Sequence, residues 1–325
     1  MCTSILQIAQ DLTHTFARTM DWDEMRSQPI FVPRNYQWRS LFDHVQHANP
    51  YAIIGGGRAH DDEIDLSDGV NEWGLSVQKL TFSNGTRRID DPTPGKIHLA
   101  PFEFSFWMLG HYRSVADIED HITEIELMAS THALTDYGHP ELHFAAVDRT
   151  GRCVVIEPTE SPMVIRENPL GVVTNSRDYD HQLVQLAKYV TFTPDFIHQT
   201  VPLNTPYVTT RQFAGPVPSG GYTVGARFIR AAYNKERADQ PTNEQEALVS
   251  AWRLLDSVTV PKSLSHRRTY SVYRAATCCE SRTYYFEPYH RLSPVRLQLT
   301  DAMLHWTNPV FYPVENAPAY LNLNA

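Results

Sequence analysis

The sequence lacks the excess of basic residues that is typical of proteins that bind nucleic acid. It has 28 Lys and Arg against 37 Asp and Glu, a formal net charge of -9. Binding to a phosphate backbone requires clustered positive charge, and the densest basic stretch is the short run His266-Arg267-Arg268. The composition therefore argues against nucleic acid as a partner.

Long apolar runs are also missing. Residues 1–10 do not combine a basic start with the apolar run of about 7–15 residues that marks a secretory signal. No run approaches the roughly 20 apolar residues that span a bilayer. The sequence therefore predicts a cytoplasmic protein with no membrane partner.

Cysteine frameworks, nucleotide loops and metal motifs are absent as well. The four cysteines (Cys2, Cys153, Cys278 and Cys279) have no Cys-x-x-Cys spacing, which argues against a disulfide scaffold and a zinc site. Gly55-Gly56-Gly57 is followed by no Gly-Lys-Ser/Thr, so it indicates a turn instead of a P-loop. The 15 histidines are scattered and form no His-Glu-x-x-His motif.

What the sequence does contain is a set of short strands and a few helices. Strand patterns fall at Thr3–Ile8, Thr15–Thr19, Tyr51–Ile54, Leu75–Leu80, His143–Val147, Val154–Glu157, Thr269–Arg274, Thr283–Glu287 and Val295–Leu299. Helix patterns follow possible capping boxes at Ser114 and Thr242, and occur again near Leu183–Val190 and Phe228–Ala232. Strands and helices that are segregated in this way predict a layered α+β domain.

Cys2 is the first candidate for chemistry, because it directly follows Met1. Removal of Met1 would leave a free α-amine on the same residue as the thiol. An α-amine has an ordinary pKa of about 7.7–8.0, so near neutral pH it can take the thiol proton and return it to a leaving amine. The alternative, which position alone favours, is a buried and inert cysteine.

Arg18 and Asp21 lie in the segment Phe16–Asp21. This segment can return antiparallel to the first strand, which would bring both side chains close to Cys2. A nearby guanidinium favours a thiolate, and a nearby carboxylate can hold an amine in place. The alternative is a surface ion pair at the end of a strand.

Asn175 and Arg227 are the remaining candidates. Asn175 ends the run Gly171–Asn175, and an amide N–H at the tip of a strand can donate to a developing oxyanion. Arg227 lies near the start of a predicted helix, where it can act as a second cation beside the thiolate. The alternatives are an ordinary turn residue and a solvated helix charge.

Together these residues resemble the choloylglycine hydrolase family of N-terminal-nucleophile enzymes, which contains bile-salt hydrolases and penicillin V acylases. The matching segments follow in order over nearly the whole chain: Met1–Ser4, Phe16–Asp21, Asp68–Leu75, Asn168–Asn175, Ser257–Lys262, and Thr269–Tyr273 leading to Cys278-Cys279. No single segment is decisive, but the ordered set is specific to this family. It favours the catalytic interpretation of Cys2 and of the other candidates.

The resemblance implies one domain over residues 1–325, with an α+β fold of four αββα layers in which two antiparallel sheets are stacked. It also implies a homotetramer, no metal and no cofactor. By the same resemblance, Cys2 is the nucleophile and its amine is the base. Arg18 and Arg227 lie beside the sulfur, Asp21 holds the amine, and Asn175 contributes to the oxyanion hole.

The oxyanion hole of this family has a second position, often Asn in bile-salt hydrolases and Tyr in a penicillin acylase. Alignment on Gly74-Leu75 places this position at Thr81, which can still donate through its backbone N–H. A shifted alignment places it at Asn84 instead. Because Thr81 departs from the Asn of the bile-salt enzymes, it weakens a bile-salt assignment.

The function implied by the resemblance is hydrolysis of a linear amide bond in a small molecule through a Cys2 thioester. A penicillin V acylase-like preference for small acyl groups is expected. One alternative is a conjugated bile salt hydrolase that releases glycine or taurine, and the other is a catalytically silent protein that binds a hydrophobic acid. Loops at 22–28, 56–66 and 130–140 are expected to line the acyl pocket. The bulky Trp22 and Trp73 are candidates to narrow it, and the alternative is that either one is an ordinary core aromatic residue.

Overall fold

The computed structural model describes residues 2–60, 63–83, 85–87, 89–129, 141–189, 220–263, 265–320 and 323. Within these ranges the strands are β1 (Cys2–Ile8), β2 (His14–Trp22), β3 (Gln28–Val32), β4 (Tyr36–Arg39), β5 (Gln46–Asn49), β6 (Ile53–His60), β7 (Glu63–Asn71), β8 (Ser76–Thr81), β9 (Ile97–Leu99), β10 (Ile125–Leu127), β11 (Leu142–Val147), β12 (Cys153–Glu157), β13 (Val164–Glu167), β14 (Val172–Val173), β15 (Tyr270–Cys278), β16 (Thr283–Pro288), β17 (Val295–Gln298) and β18 (Val310–Phe311). The helices are α1 (Phe104–His111), α2 (Val115–His121), α3 (Tyr179–Leu186), α4 (Val224–Lys235) and α5 (Glu244–Asp256). Short 3₁₀ turns occur at Pro101–Glu103, Ile122–Glu124 and Asp301–His305.

Two large antiparallel sheets form the centre of the fold. The first has six strands in the order β14-β1-β2-β15-β16-β17, and the second has eight in the order β13-β12-β11-β8-β7-β6-β3-β18. Buried hydrogen bonds join their facing surfaces: Ser4 donates to Gln78 at 2.6 Å, and the hydroxyls of Ser76 and Thr277 lie 2.6 Å apart. The sheets are therefore stacked face to face.

Helices cover the outer surfaces of both sheets. Helix α5 packs on β1 and β2, and α4 packs on β1 and β14, so these helices cover the first sheet. Helix α1 packs on β7 and β8 of the second sheet. This arrangement confirms the predicted αββα layering. No helix in the described part of the chain combines the length and apolar character needed to cross a bilayer.

The predicted strands are all observed, with ends that differ by a few residues. One helix prediction needs correction, and one helix was missed. The N-cap of α5 is Asn243, whose side chain accepts from the Glu246 N–H, so the capping box expected at Thr242 starts one residue too early. Helix α1 was not predicted, because seven of its eight residues are buried and it has no polar face to create a 3.6-residue pattern.

Candidate active site

Cys2 begins β1 and lies at the inner end of an open pocket. Strand β1 is paired on one side with β14 and on the other with β2, where Cys2 faces Met20 across the ladder. The side chain is 2% exposed, and its Sγ lies 3.8 Å from Met20 Sδ. The thiol therefore lies at the start of a paired strand and lines the pocket.

Arg18 is brought to Cys2 by the antiparallel pairing of β1 and β2, as the sequence predicts. Its fully buried guanidinium donates from Nη1 to the Ser67 carbonyl oxygen at 3.0 Å, and Nη1 lies 3.4 Å from Asp68 Oδ2. Burial acts to lower the pKa of Arg18, but the neighbouring Cys2 and Asp68 outweigh it, so the pKa is raised. Arg18 is therefore a permanent cation beside the thiol.

Arg227 lies in the first turn of α4, as predicted, and ties this helix to the start of β1. Its Nη1 donates to the Cys2 carbonyl oxygen and to Thr3 Oγ1, both at 2.6 Å, and its Nη2 donates to Asn175 Oδ1 at 2.8 Å. Burial lowers the pKa of Arg227, while Asp21 and Cys2 oppose this change. The structure thus gives Arg227 contacts with the backbone of Cys2 and with Asn175.

Asp21 lies on β2 three residues after Arg18 and is fully buried. Its Oδ1 accepts from the Ser271 hydroxyl at 2.6 Å, and its Oδ2 lies 3.8 Å from Arg227 Nη1. The predicted hold of Asp21 on the Cys2 amine stays a prediction. Ser271 was not anticipated from the sequence, although it lies within the motif Thr269–Tyr273.

Asn175 contacts the nitrogen of Cys2 directly. The Cys2 backbone nitrogen donates to Asn175 Oδ1 at 2.6 Å, and the amide group of Asn175 donates to the Thr81 carbonyl oxygen at 2.9 Å. An amide has two N–H hydrogens, so the bond to Thr81 uses only one of them. The sequence predicted an oxyanion donor here, and the carbonyl contact with Cys2 is a second feature that it did not predict.

Thr81 is the last residue of β8 and lines the pocket. It faces Leu142 of β11, and the next pair along the ladder is bonded through the Phe82 N–H and the Glu141 carbonyl. In an antiparallel ladder, bonded and non-bonded pairs alternate. The N–H of Thr81 therefore points away from β11, toward the side where its carbonyl meets Asn175. The alternative, Asn84, lies outside the described residues.

The cavity of this pocket has a volume of about 130 Å³. It occupies the gap that opens between β7 and β8, whose pairing stops at Asp68 and Gln78. Ser67 of β7, Lys79 of β8, Arg58 and Phe102 line it. Burial lowers the pKa of Lys79, and its ion pair with Asp65 opposes this.

The predicted loops contribute to this pocket unequally. Residues Trp22, Glu24, Arg26 and Ser27 line it, as expected for the loop at 22–28. Residues 130–140 lie outside the described part of the chain. Trp73 does not line the pocket; it is 43% exposed, and the Arg113 guanidinium stacks 4.6 Å from its ring. The expectation that Trp73 narrows the pocket is therefore wrong.

A family model for linear amide C-N hydrolases of the choloylglycine hydrolase family matches residues 2–312. The chain belongs to the choloylglycine hydrolase family. It is an enzyme of the class that hydrolyses linear carbon–nitrogen amide bonds. The match covers nearly the whole chain, as the order of the sequence motifs predicts.

Three known proteins illustrate this similarity. The chain is 26% identical to the bile salt hydrolase/transferase of Lactiplantibacillus plantarum over 334 residues, covering 100% of both chains. Its fold matches a variant of the conjugated bile acid hydrolase from Clostridium perfringens with a TM-score of 0.85 at 22% identity, covering 99% of this chain and 100% of that one. Its fold also matches penicillin V acylase from Agrobacterium tumefaciens, with a TM-score of 0.68 at 18% identity. That match covers 93% of this chain and 86% of the acylase.

Proposed function

We propose that this enzyme hydrolyses amides of small acyl groups, in the manner of a penicillin V acylase, with Cys2 as the nucleophile. The observation that carries the proposal is the convergence of Arg18, Asn175 and Arg227 on Cys2 at the inner end of the pocket. Burying a charge costs free energy. A cysteine with no catalytic role would not require the buried cations Arg18 and Arg227 beside it.

In the proposed first step, the α-amine of Cys2, freed by removal of Met1, takes the thiol proton. The thiolate attacks the amide carbonyl carbon, and the carbonyl oxygen becomes an oxyanion. The second amide hydrogen of Asn175 and the backbone N–H of Thr81 are the donors for this oxyanion. Collapse of the intermediate breaks the carbon–nitrogen bond, and the ammonium of Cys2 gives its proton to the departing amine.

The second step releases the acid. Water gives a proton to the Cys2 amine and attacks the thioester carbonyl, and the Cys2 sulfur leaves. Asn175 supports both steps, because its Oδ1 accepts from the Cys2 nitrogen at 2.6 Å and fixes the position of the base. Mass spectrometry of the intact protein tests the premise, since an active enzyme that retains Met1 would contradict an amine base.

The walls of the pocket support a small acyl group. Lys79 and Arg58, both paired with Asp65, present charged groups to the cavity, and Trp22 takes up space near the mouth. Thr81 supports the same assignment, because the resemblance places an Asn of the bile-salt hydrolases at this position. The alternative substrate is a conjugated bile salt, which the name of the relative from Lactiplantibacillus plantarum favours.

The deciding experiment is a side-by-side assay of penicillin V and glycocholate that measures amine release at equal protein concentration. The Cys2→Ala variant serves as the blank. Preference for penicillin V is expected, and preference for glycocholate would overturn the acyl assignment but leave the Cys2 mechanism intact. Binding of either compound without turnover would instead support a catalytically silent binding protein.

We also propose that the enzyme is a cytoplasmic homotetramer. The resemblance to the family supports the assembly, and the four cysteines, all free thiols, are consistent with a reducing compartment. Light scattering coupled to gel filtration measures the assembly, and a monomeric mass would contradict it. Cell fractionation tests the location.

A further inference from the structure

A buried carboxylate lies next to the Arg18 guanidinium. Asp68 is 1% exposed, and both of its oxygens accept phenol hydroxyls: Tyr273 donates to Oδ2 at 2.8 Å and Tyr284 donates to Oδ1 at 2.7 Å. Both tyrosines are also 1% exposed. Three strands, β7, β15 and β16, thus bring three buried polar side chains to one point beside the candidate cation.

The backbone is shaped to admit this network. A Cβ on Gly56 would lie 2.1 Å from the Tyr284 hydroxyl oxygen and 2.9 Å from Asp68 Oδ1. Real Cβ atoms do not approach other atoms this closely, so only glycine leaves room for the hydroxyl. The sequence predicts a turn at Gly55-Gly56-Gly57, but these residues lie within strand β6, where Gly56 provides space for a hydrogen bond to Asp68.

The distances within the network are unequal. Charge-assisted bonds between a guanidinium and a carboxylate are normally about 2.7–2.9 Å long. Arg18 Nη1 lies 3.4 Å from Asp68 Oδ2, while it donates to the Ser67 carbonyl at 3.0 Å. Asp68 is thus bonded more closely to the two neutral hydroxyls than to the cation beside it.

We propose that Tyr284 and Tyr273 are positioning residues that occupy the oxygens of Asp68 and so keep Arg18 directed toward the Cys2 thiolate. The inference rests on the proposed role of Cys2 as nucleophile. A carboxylate that lost one hydroxyl would draw the guanidinium toward itself to replace the missing donor. Less of the positive charge would then stabilise the thiolate.

Other charged groups face this region and stay unchanged in the test. Asp21 on β2 and Arg227 on α4 lie on the other side of Cys2, where they face each other at 3.8 Å. Lys79 on β8 is close enough to affect both Arg18 and Asp68, and it is paired with Asp65. Burial raises the pKa of Asp68, while Arg18 and the two hydroxyls oppose this.

The test is the pH dependence of Cys2 alkylation by iodoacetamide, followed by mass spectrometry of the peptide that contains Cys2. In Tyr284→Phe, the midpoint of the rate profile should move up by about one pH unit. Below the midpoint the rate should fall about tenfold, while the plateau at high pH should stay unchanged. A purely structural role would lower stability without moving this midpoint.

The matched control is Tyr285→Phe, which removes a hydroxyl from the neighbouring position of the same strand. Tyr285 donates to Glu244 at 2.8 Å, and Glu244 also accepts from Ser281, so this bond lies in a separate network. Its midpoint should equal that of the unmodified enzyme. Tyr273→Phe removes the bond to the other carboxylate oxygen and should reproduce the upward shift, so the test does not depend on one variant folding.

Failure of the positioning role and failure of the proposed function would give different results. An unchanged or lowered midpoint in both Tyr284→Phe and Tyr273→Phe would overturn the positioning role while leaving Cys2 as the nucleophile. If the unmodified enzyme keeps full turnover after its Cys2 is alkylated, the proposed function itself fails.

Discussion

Asn175 joins three separate parts of the chain through one side chain. Its carbonyl accepts from the Cys2 nitrogen and from Arg227, and its amide donates to the Thr81 carbonyl. The bonds to Cys2 and Arg227 are buried, and the bond to Thr81 is partly buried. Asn175 therefore links the Cys2 nitrogen to the residues of the proposed oxyanion hole.

Replacing Asn175 with alanine should remove that connection. We expect kcat to fall by about 10²–10³, the usual effect of losing one oxyanion donor, with a smaller change in KM. Steady-state amine release measures both quantities. Ser176→Ala is the control, because its hydroxyl donates to the Ser83 carbonyl at 2.9 Å on the exposed side. A kcat within threefold of the unmodified enzyme would contradict the role of Asn175.

The candidate residues themselves were predictable, but some of their partners were not. Cys2 and Arg18 are recognised from their position in ordered motifs, and the pairing of two adjacent strands brings them together. Asp68 is in one of the motifs, yet its partners Tyr273 and Tyr284 follow it by 205 and 216 residues. Sequence patterns describe neighbours along the chain, so contacts of this range need the folded structure.

Helix α4 determines where Arg227 lies. Its N-cap Thr223 accepts from the Ala226 N–H at 3.3 Å, which closes the first turn. Arg227 falls within that turn and makes its contacts with Cys2 from there. The stability of one helix end is thus linked to the arrangement of the active site.

Thr223→Ala should therefore lower both stability and activity. Loss of an N-cap costs about 1 kcal/mol, and a loosened first turn should reduce kcat because Arg227 is displaced. Asn243→Ala is the matched control, since it removes the equivalent cap of α5, where Asn243 accepts from Glu246 at 3.1 Å. Urea unfolding should show similar losses for both variants. If Thr223→Ala and Asn243→Ala have equal kcat values, the cap of α4 has no specific effect on the active site, which would contradict this prediction.

Helices α5 and α1 show the limits of prediction for elements. The sequence around Thr242 and Asn243 offers two capping residues side by side, and hydrogen bonding in the folded chain selects Asn243. Helix α1 is buried on all sides, so its sequence contains no alternation of polar and apolar residues. Most strands of the two sheets are buried on both faces, so they show no alternation of period two, and they were predicted instead as short apolar runs bounded by turns.

Across the whole molecule, buried histidines make stability depend on pH. Burial lowers the pKa of His143 and of His111 to about 4, from an ordinary value of 6.5. Between these values the unfolded chain binds more protons than the folded one. The stabilisation is present in full above pH 6.5 and is lost as the pH falls toward 4. Glu157 acts in the opposite direction, because burial raises its pKa to about 7.

We therefore expect His143→Gln to weaken the acid dependence of stability. Between pH 6.5 and 4, the free energy of unfolding should fall by up to about 3 kcal/mol less than in the unmodified enzyme. Urea unfolding at a series of pH values measures this. Glu157→Gln is the opposite control, since it should remove a loss of stability that develops as the pH rises from about 4.5 to 7. Parallel pH profiles for all three proteins would contradict the assignment.

The bonds around Cys2 also have a consequence for folding kinetics. The Cys2 nitrogen meets Asn175 across 173 residues of chain, and the Cys2 carbonyl meets Arg227 across 225. Contacts with such long sequence separation form slowly, because the chain loses the entropy of closing a large loop before the contact can stabilise it. In partly folded chains, Cys2 would therefore lack its contacts with Arg227 and with Asn175. Catalytic turnover would then return only with the last folding phase, and it would report the fully folded population more strictly than fluorescence or circular dichroism.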